Sequence, residues 1–509
     1  MRQVVCFFAP VRDDHPWVVV VIHALRVAVV GCVVACGDVA ALPQPTSDGS
    51  TIDAAVDSGP VCSASSSAMP QATCDFRWGN GDLQLPHAVA TDSVGDTLIV
   101  GGFGGTLTFG PDTINGPDTS PEQCDPDGCA DGAFAVLLDA MCEPQWAVAL
   151  DGASAWNVVA LAGDRFAITD SGNLGSPYST NVITLDALGQ TVWAKHFVAI
   201  PPPTGTGFVG LWMASDHAGN IFLVGTITGT VDFGGGPLSS DPQGELGVLV
   251  KLDANGTFVF DITFATDANS PIGLISTDDV GQVWLAGNLA PGLGSIDFGG
   301  TVFEASVDAS ADAWLGYIAR LSASDGHYLG GVSFEGVQIE SLVSDPCTGR
   351  TTVAGYTDLS ADLGLGPIAP LSGFVLQLDE HETPIWNQAV LNAGWSSIAV
   401  DGAGNLIAAG WRSTPEAGIY ASDVVVNGYD LAGNTRYAFS WPSTSTGSAG
   451  FSYGATPAAV TVGSAGSFGV VGGIGSYTTI NFGLGLLPEE IDGGAPYGPS
   501  IDGFFVRFH

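Results

Sequence analysis

The chain has 509 residues, with 52 acidic side chains against 12 basic ones and a formal net charge of −40. No cluster of Lys and Arg exists to neutralise phosphate, so nucleic acid and anionic membrane surfaces are excluded as partners. With 46% apolar and 13% charged residues the composition is that of a folded protein, and 71 Gly and 30 Pro stay below the low-complexity range.

Trp17 to Val34 is almost continuously apolar, interrupted by His23 and Arg26, and ends in Val33-Val34-Ala35-Cys36. Such a run is long enough to span a membrane, but the small residues at its end fit an export signal better. Arg12, Asp13, Asp14 and Pro16 sit awkwardly ahead of a signal, whereas a start near Val20 leaves a short leader before Val27–Val34. The segment resembles the lipobox of bacterial lipoprotein signals. That resemblance implies removal of residues 1–35, lipidation of Cys36, attachment to the cell envelope through the lipid alone, and no other membrane contact. Residues 36–70 are rich in Ala, Ser, Asp, Pro and Gly without period, and read as a disordered tether.

From residue 71 one phrase recurs: a polar turn with Asp and Gly, then an apolar strand ending in Gly. Asp92-Ser-Val-Gly95-Asp-Thr-Leu-Ile-Val-Gly101 is matched by Asp216 to Gly225, Asp278 to Gly287 and Asp401 to Gly410. Looser copies sit at Gly163, Gly349 and Gly466. The seven turn glycines are 55 to 68 residues apart, with only strand signals between them. Seven all-β units of this size predict a seven-bladed β-propeller of four-stranded blades over residues 71–509. Strands are named A to D from the axis outward. Strand C ends in Leu-Asp-x-x-Gly (Asp186, Asp253, with variants at Asp139, Asp379 and Asp430), and D opens on an aromatic: Trp146, Trp193, Phe258, Tyr328, Trp386 or Tyr437. Asp followed three residues on by Gly is turn chemistry, the carboxylate capping amides and the Gly taking positive φ.

The seventh unit stops at its third strand, Gly503–Phe508, while Phe76-Arg77-Trp78 precedes the first unit without partners of its own. Residues 75–82 are therefore expected to supply the missing outer strand and close the ring, which removes an open sheet edge. The whole pattern resembles the seven-bladed β-propeller repeats of secreted and lipid-anchored bacterial proteins. The Leu-Asp-x-x-Gly-x-x-x-Trp phrase is also similar to quinoprotein-type propellers, which implies that these Trp residues dock one blade on the next.

Long inserts at 102–131, 226–245, 288–312, 356–372 and 473–501 connect strands B and C, so binding is expected on the B–C face. Four inserts carry Phe-Gly, at Phe109, Phe233, Phe298 and Phe482; an extra hairpin with one buried Phe is the expectation, ahead of an aromatic binding ring. The insert Cys124-Asp125-Pro-Asp127-Gly-Cys129-Ala-Asp131 offers carboxylates for calcium, against the simpler reading of a solvated loop stapled by Cys124–Cys129. Apart from the lipid-bearing Cys36, six cysteines remain in the mature chain, and the local pairs Cys62–Cys74 and Cys124–Cys129 are the expected disulfides. Zinc spacing is missing, and Gly205-Thr-Gly207-Phe-Val-Gly210 leads into a strand, where a dinucleotide site needs a helix. Catalytic residues are therefore not assigned, and no cofactor beyond calcium is expected. The sequence reads as a monomeric, lipid-anchored module for a protein or glycan ligand; the alternatives are a polysaccharide lyase or hydrolase, or a purely structural envelope component.

Overall fold

The computed structural model describes residues 69–79, 83–116, 132–173, 179–201, 207–241, 244–266, 272–292, 294–306, 313–346, 348–413, 422–445, 455–463, 466–475, 478–487 and 501–509. The signal and Cys36, nearly all of the tether, Cys62, Cys124, Cys129, Asp125, Asp127 and Asp131 lie outside them. Among the described residues no helix is long and apolar enough to cross a membrane.

Seven antiparallel four-stranded sheets form the blades. In A-to-D order, blade 1 comprises Gln84–Thr91, Thr97–Phe103, Gly132–Leu138 and Pro144–Leu150. Blade 2 comprises Gly152–Leu161, Arg165–Asn173, Ser179–Leu185 and Thr191–Val198. Blade 3 comprises Phe208–Ser215, Ile221–Thr228, Leu246–Leu252 and Phe258–Thr266. Blade 4 comprises Ile272–Thr277, Gln282–Leu289, Leu315–Ser322 and Tyr328–Glu335. Blade 5 comprises Gln338–Ser344, Thr351–Thr357, Ser372–Leu378 and Pro384–Leu391. Blade 6 comprises Ala393–Val400, Leu406–Ser413, Ser422–Tyr429 and Thr435–Trp441. Blade 7 takes Ala455–Val462, Phe468–Gly475 and Ile501–Phe508, and its strand D is Ala72–Trp78. Each A strand packs on the A strands of both neighbours, blade 7 on blade 1 included, so the ring is closed.

The core consists of seven seams, one between each pair of adjacent blades. Strand B of blade 1 is buried along its whole length because both of its faces meet such a seam. The turns follow the expected chemistry. Asp92 Oδ1 accepts from the amides of Val94, Gly95 and Asp96 at 3.1, 2.9 and 2.9 Å. Asp139, Asp186, Asp253, Asp278, Asp379, Asp401 and Asp430 cap their turns in the same way. All seven turn glycines have positive φ, between 67° and 99°. Blade 2 lacks the capping Asp because its A–B turn is tighter: Gly163 and Asp164 both have positive φ, which is the type I′ signature.

The scarce cations link blades. Lys251 donates to the Ala323 carbonyl of blade 4 at 2.8 Å, and Arg320 pairs with Glu382 in the C–D turn of blade 5. Arg350 donates to the Leu431 carbonyl of blade 6 at 3.1 Å. Arg507 of blade 7 donates to the Gly95 and Asp139 carbonyls of blade 1 at 2.9 and 3.2 Å. The D-strand tryptophans dock forward as expected: Trp146 Nε1 donates to Ala187 O at 2.9 Å and Trp193 Nε1 to Ala254 O at 3.3 Å, each on the next blade.

The ring closes by an N-terminal strand as expected, through pairing of Ala72–Trp78 with Ile501–Phe508; this strand begins and ends earlier than the expected 75–82, of which 80–82 lie outside the described residues. Arg77 and Asp502 form an ion pair across these strands at 2.7 Å, with both side chains buried. One expectation is overturned here. Cys74 is bonded to Cys142, not to Cys62, with the two Cα atoms 6.1 Å apart. Strand D of blade 7 lies against the C–D turn of blade 1, where Cys142 stands in the slot that Gly189, Gly256 and Gly433 fill in blades 2, 3 and 6 and takes φ 63°. The disulfide thus fastens the first strand of the ring to its neighbouring blade.

Candidate functional site at the axial mouth

The B–C inserts are straps. Hairpins form at Thr106–Phe109 with Asp112–Asn115, at Thr230–Asp232 with Pro237–Ser239, at Ser295–Asp297 with Val302–Glu304, and at Ala361–Asp362 with Pro367–Ile368. Each reaches back to the outer strand of the preceding blade. Ala265 and Thr266 of blade 3 pair with Asp297 and Ile296, and Ile200 after blade 2 exchanges two hydrogen bonds with Thr230. The four insert phenylalanines are buried: Phe109 lies against Trp78, Phe233 against Phe197, Phe298 against Phe264 and Phe482 against Trp441. Leu363 fills the same slot in blade 5, where the sequence shows no Phe. The extra hairpin with one buried Phe is therefore the correct reading.

With these hairpins turned to the rim, exposed side chains converge at the axis instead. In six A strands the register slips by one residue, between Pro86 and Ala88, Ala155 and Asn157, Ile272 and Leu274, Ile339 and Ser341, Trp395 and Ser397, and Pro457 and Ala459. Each slip is a bulge that frees one residue from the pairing pattern and re-aims its side chain. Opposite five of these bulges, and opposite Leu211 in the unbulged blade 3, strand B carries Gly: 101, 225, 287, 355, 410 and 472. A Cβ at Gly225 or Gly355 falls 1.8 or 1.9 Å from a carbonyl of strand A. This is the physical reason that the repeated phrase ends in Gly.

The bulged residues are His87, Trp156, Gly273, Glu340, Ser396 and Ala458, and Trp212 holds the corresponding position in blade 3. Blades 1 to 3 thus place His87, Trp156 and Trp212 in succession around the axis. The His87 ring lies flat on Trp156, centroids 4.2 Å apart and planes within 5°, and Trp156 is 52% exposed. His87 Nδ1 donates to the Ala155 carbonyl at 3.0 Å, leaving Nε2 as the acceptor, and burial holds its pKa below the ordinary value. Trp212 leans the other way, over Gly273, whose missing side chain leaves the room. Across the ring from this arc, Glu340 projects from blade 5. Among the described residues no side chain hydrogen-bonds or ion-pairs with it, and partial desolvation raises its pKa. Next to it burial, Glu340 and Asp358 together raise the Tyr356 pKa, and Gln338 donates to Asp358 at 2.8 Å. Across all seven A strands the only titratable side chains are His87 and Glu340.

A second polar group lies inside the seam between blades 1 and 2. Asp170 replaces the strand-B Gly and is 1% exposed. It accepts from Asn181 Nδ2 at 2.6 Å, Asn181 Oδ1 faces His196 Nδ1, and Asp170 Oδ2 has no hydrogen-bond partner. Burial pushes its pKa up to about 7 against the opposing Asn181 bond, with Asp151 adding repulsion. Gly152 makes the space, since a Cβ there falls 2.6 Å from Asp170 Cγ. Among the described residues no group of three or more His, Cys, Asp or Glu is arranged to hold a metal.

This architecture is a seven-bladed β-propeller with four-stranded blades. The sequence matches no protein-family profile and no curated protein. Among solved structures it is similar to the Dos1 propeller, at 10% identity over 86% of this chain and 94% of that one, with a TM-score of 0.38. It is also similar to the Cps50 (Swd1) β-propeller domain of Myceliophteria thermophila, at 9% identity over 86% and 99%, with a TM-score of 0.41.

Proposed function

We propose that the chain is an exported, lipid-anchored propeller that binds a protein or glycan ligand at the bacterial cell envelope, with the axial mouth on the B–C side as its binding surface. The observation that carries this reading is Trp156, a large aromatic left 52% exposed and held flat by His87. A ring fixed on a rigid strand loses little entropy when a ligand stacks on it. The Cys74–Cys142 disulfide supports export, because such bonds persist in oxidising compartments. The lipobox-like Cys36 supports the anchor. The test is a glycan array and an envelope-protein pull-down with residues 69–509, in wild-type and Trp156→Ala forms, beside intact-mass analysis of the membrane-extracted protein. Specific capture that Trp156→Ala abolishes is expected, together with acyl chains on Cys36; capture indifferent to Trp156 refutes the assigned surface.

A lyase or hydrolase is the second reading, and Tyr356 beside Glu340 and Asp358 speaks for it. The direction of the Tyr356 shift speaks against it, since a tyrosine base needs a lowered pKa. A structural envelope component is the third, and it predicts empty screens.

A further inference from the structure

We infer that the ligand of the axial mouth is cationic, an Arg- or Lys-bearing segment of a partner protein whose charged head lies between the aromatic arc and Glu340. The inference rests on the reading of the mouth as a binding surface and adds the chemistry of its occupant. In a ring of seven, blade 2 stands across the axis from blades 5 and 6, so Trp156 and Glu340 face one channel from opposite walls. A cation is attracted to the face of an indole, and guanidinium also stacks on it. Glu340 supplies the formal charge, and it is the only one on the seven A strands, none of which carries Lys or Arg. Among the described residues no Lys or Arg forms a salt bridge with Glu340, and desolvation is the one influence on its carboxyl. A net charge of −40 draws basic partners from a distance and repels uronates and other acidic glycans.

Depth selects the form of the ligand. His87 is the fourth residue of its strand, Trp156 the fifth and Glu340 the third, which at about 3.3 Å per residue sets them between about 7 and 13 Å in from the strand starts. A long side chain reaches that depth while its backbone stays at the mouth.

The experiment is fluorescence anisotropy of a labelled Gly/Ser peptide carrying two Arg residues, against its all-neutral counterpart and an uncharged hexasaccharide. The proteins are residues 69–509 and the variants Trp156→Ala, Glu340→Gln and Glu380→Gln. Glu380 is an exposed C–D turn residue of the same blade and controls for generic charge. The expected result is binding of the Arg peptide alone, weakened at least tenfold by Trp156→Ala and by Glu340→Gln and unchanged by Glu380→Gln. Equal weakening by Glu340→Gln and Glu380→Gln overturns the inference, because attraction is then generic. Binding of the neutral hexasaccharide that depends on Trp156, without binding of the Arg peptide, overturns the cationic ligand and keeps the mouth. Loss of neither probe with Trp156→Ala overturns both.

Discussion

Removal of the ring staple by Cys74→Ser with Cys142→Ser tests the closure quantitatively. The bond closes a loop of 68 residues that contains most of blade 1. On the chain-entropy account a loop of that size restricts the unfolded state by about 4 kcal/mol. Part of this is offset in the native state, because Cys142 holds φ 63° where an L-residue is strained by about 1 kcal/mol and Gly is not. Cys74→Ser with Cys142→Gly should therefore recover about 1 kcal/mol of the loss. The assay is urea unfolding followed by tryptophan fluorescence, with wild type in reductant as a third sample. The double serine variant and the reduced wild type should share one lowered midpoint, and the glycine variant should fall between them and the oxidised protein. A midpoint unchanged by all three treatments would refute the claim that this bond restrains the ring.

Asp170→Asn should stabilise the protein in a pH-dependent way. Its carboxyl has a folded pKa of about 7 against 3.8 for the free group, so the native state keeps a proton that the unfolded state releases. The wild type thus loses stability as pH rises from about 4 to 7, by about 4 kcal/mol in full, and the variant should melt alongside it at pH 4 but well above it at pH 8. Arg77→Ala strands Asp502 in the seam and should cost about 3–5 kcal/mol by urea unfolding, with Arg77→Ala plus Asp502→Asn costing less. Phe233→Ala removes a buried ring that packs on Phe197 at 4.9 Å and should cost about 3–5 kcal/mol, while ligand capture is unchanged.

Much of the fold was legible because turn chemistry is local. Asp92 and Gly95, or Asp401 and Gly404, act within four residues, so their repetition announces the hairpins and their number announces the blades. Closure was legible from an unpaired strand at each end. The Cys74–Cys142 bond was not, although it follows from that closure: residue 74 lies beside blade 1 only after the ring is closed, and sequence proximity favoured Cys62. A cysteine in the Gly slot of the Asp139 turn was the available signal. The axial constellation left no motif. His87, Trp156 and Glu340 are brought together by a bulge whose position is fixed by the Gly across from it, while the bulged residue itself is free to vary. Acidity carried the opposite lesson. Ten of the 41 Asp residues belong to the turn positions, whereas the one carboxylate of the inner strands is a Glu in an unremarkable segment, Gln338-Ile-Glu340-Ser341.

Amide hydrogen exchange with and without captured ligand tests the central assignment most directly. Protection is expected in the first halves of the A strands, at 85–88, 154–158, 210–213 and 338–341, with the Asp-capped turns at 92–96, 216–220 and 401–405 unchanged. Protection centred on those turns, with the axial segments unaffected, would contradict the account.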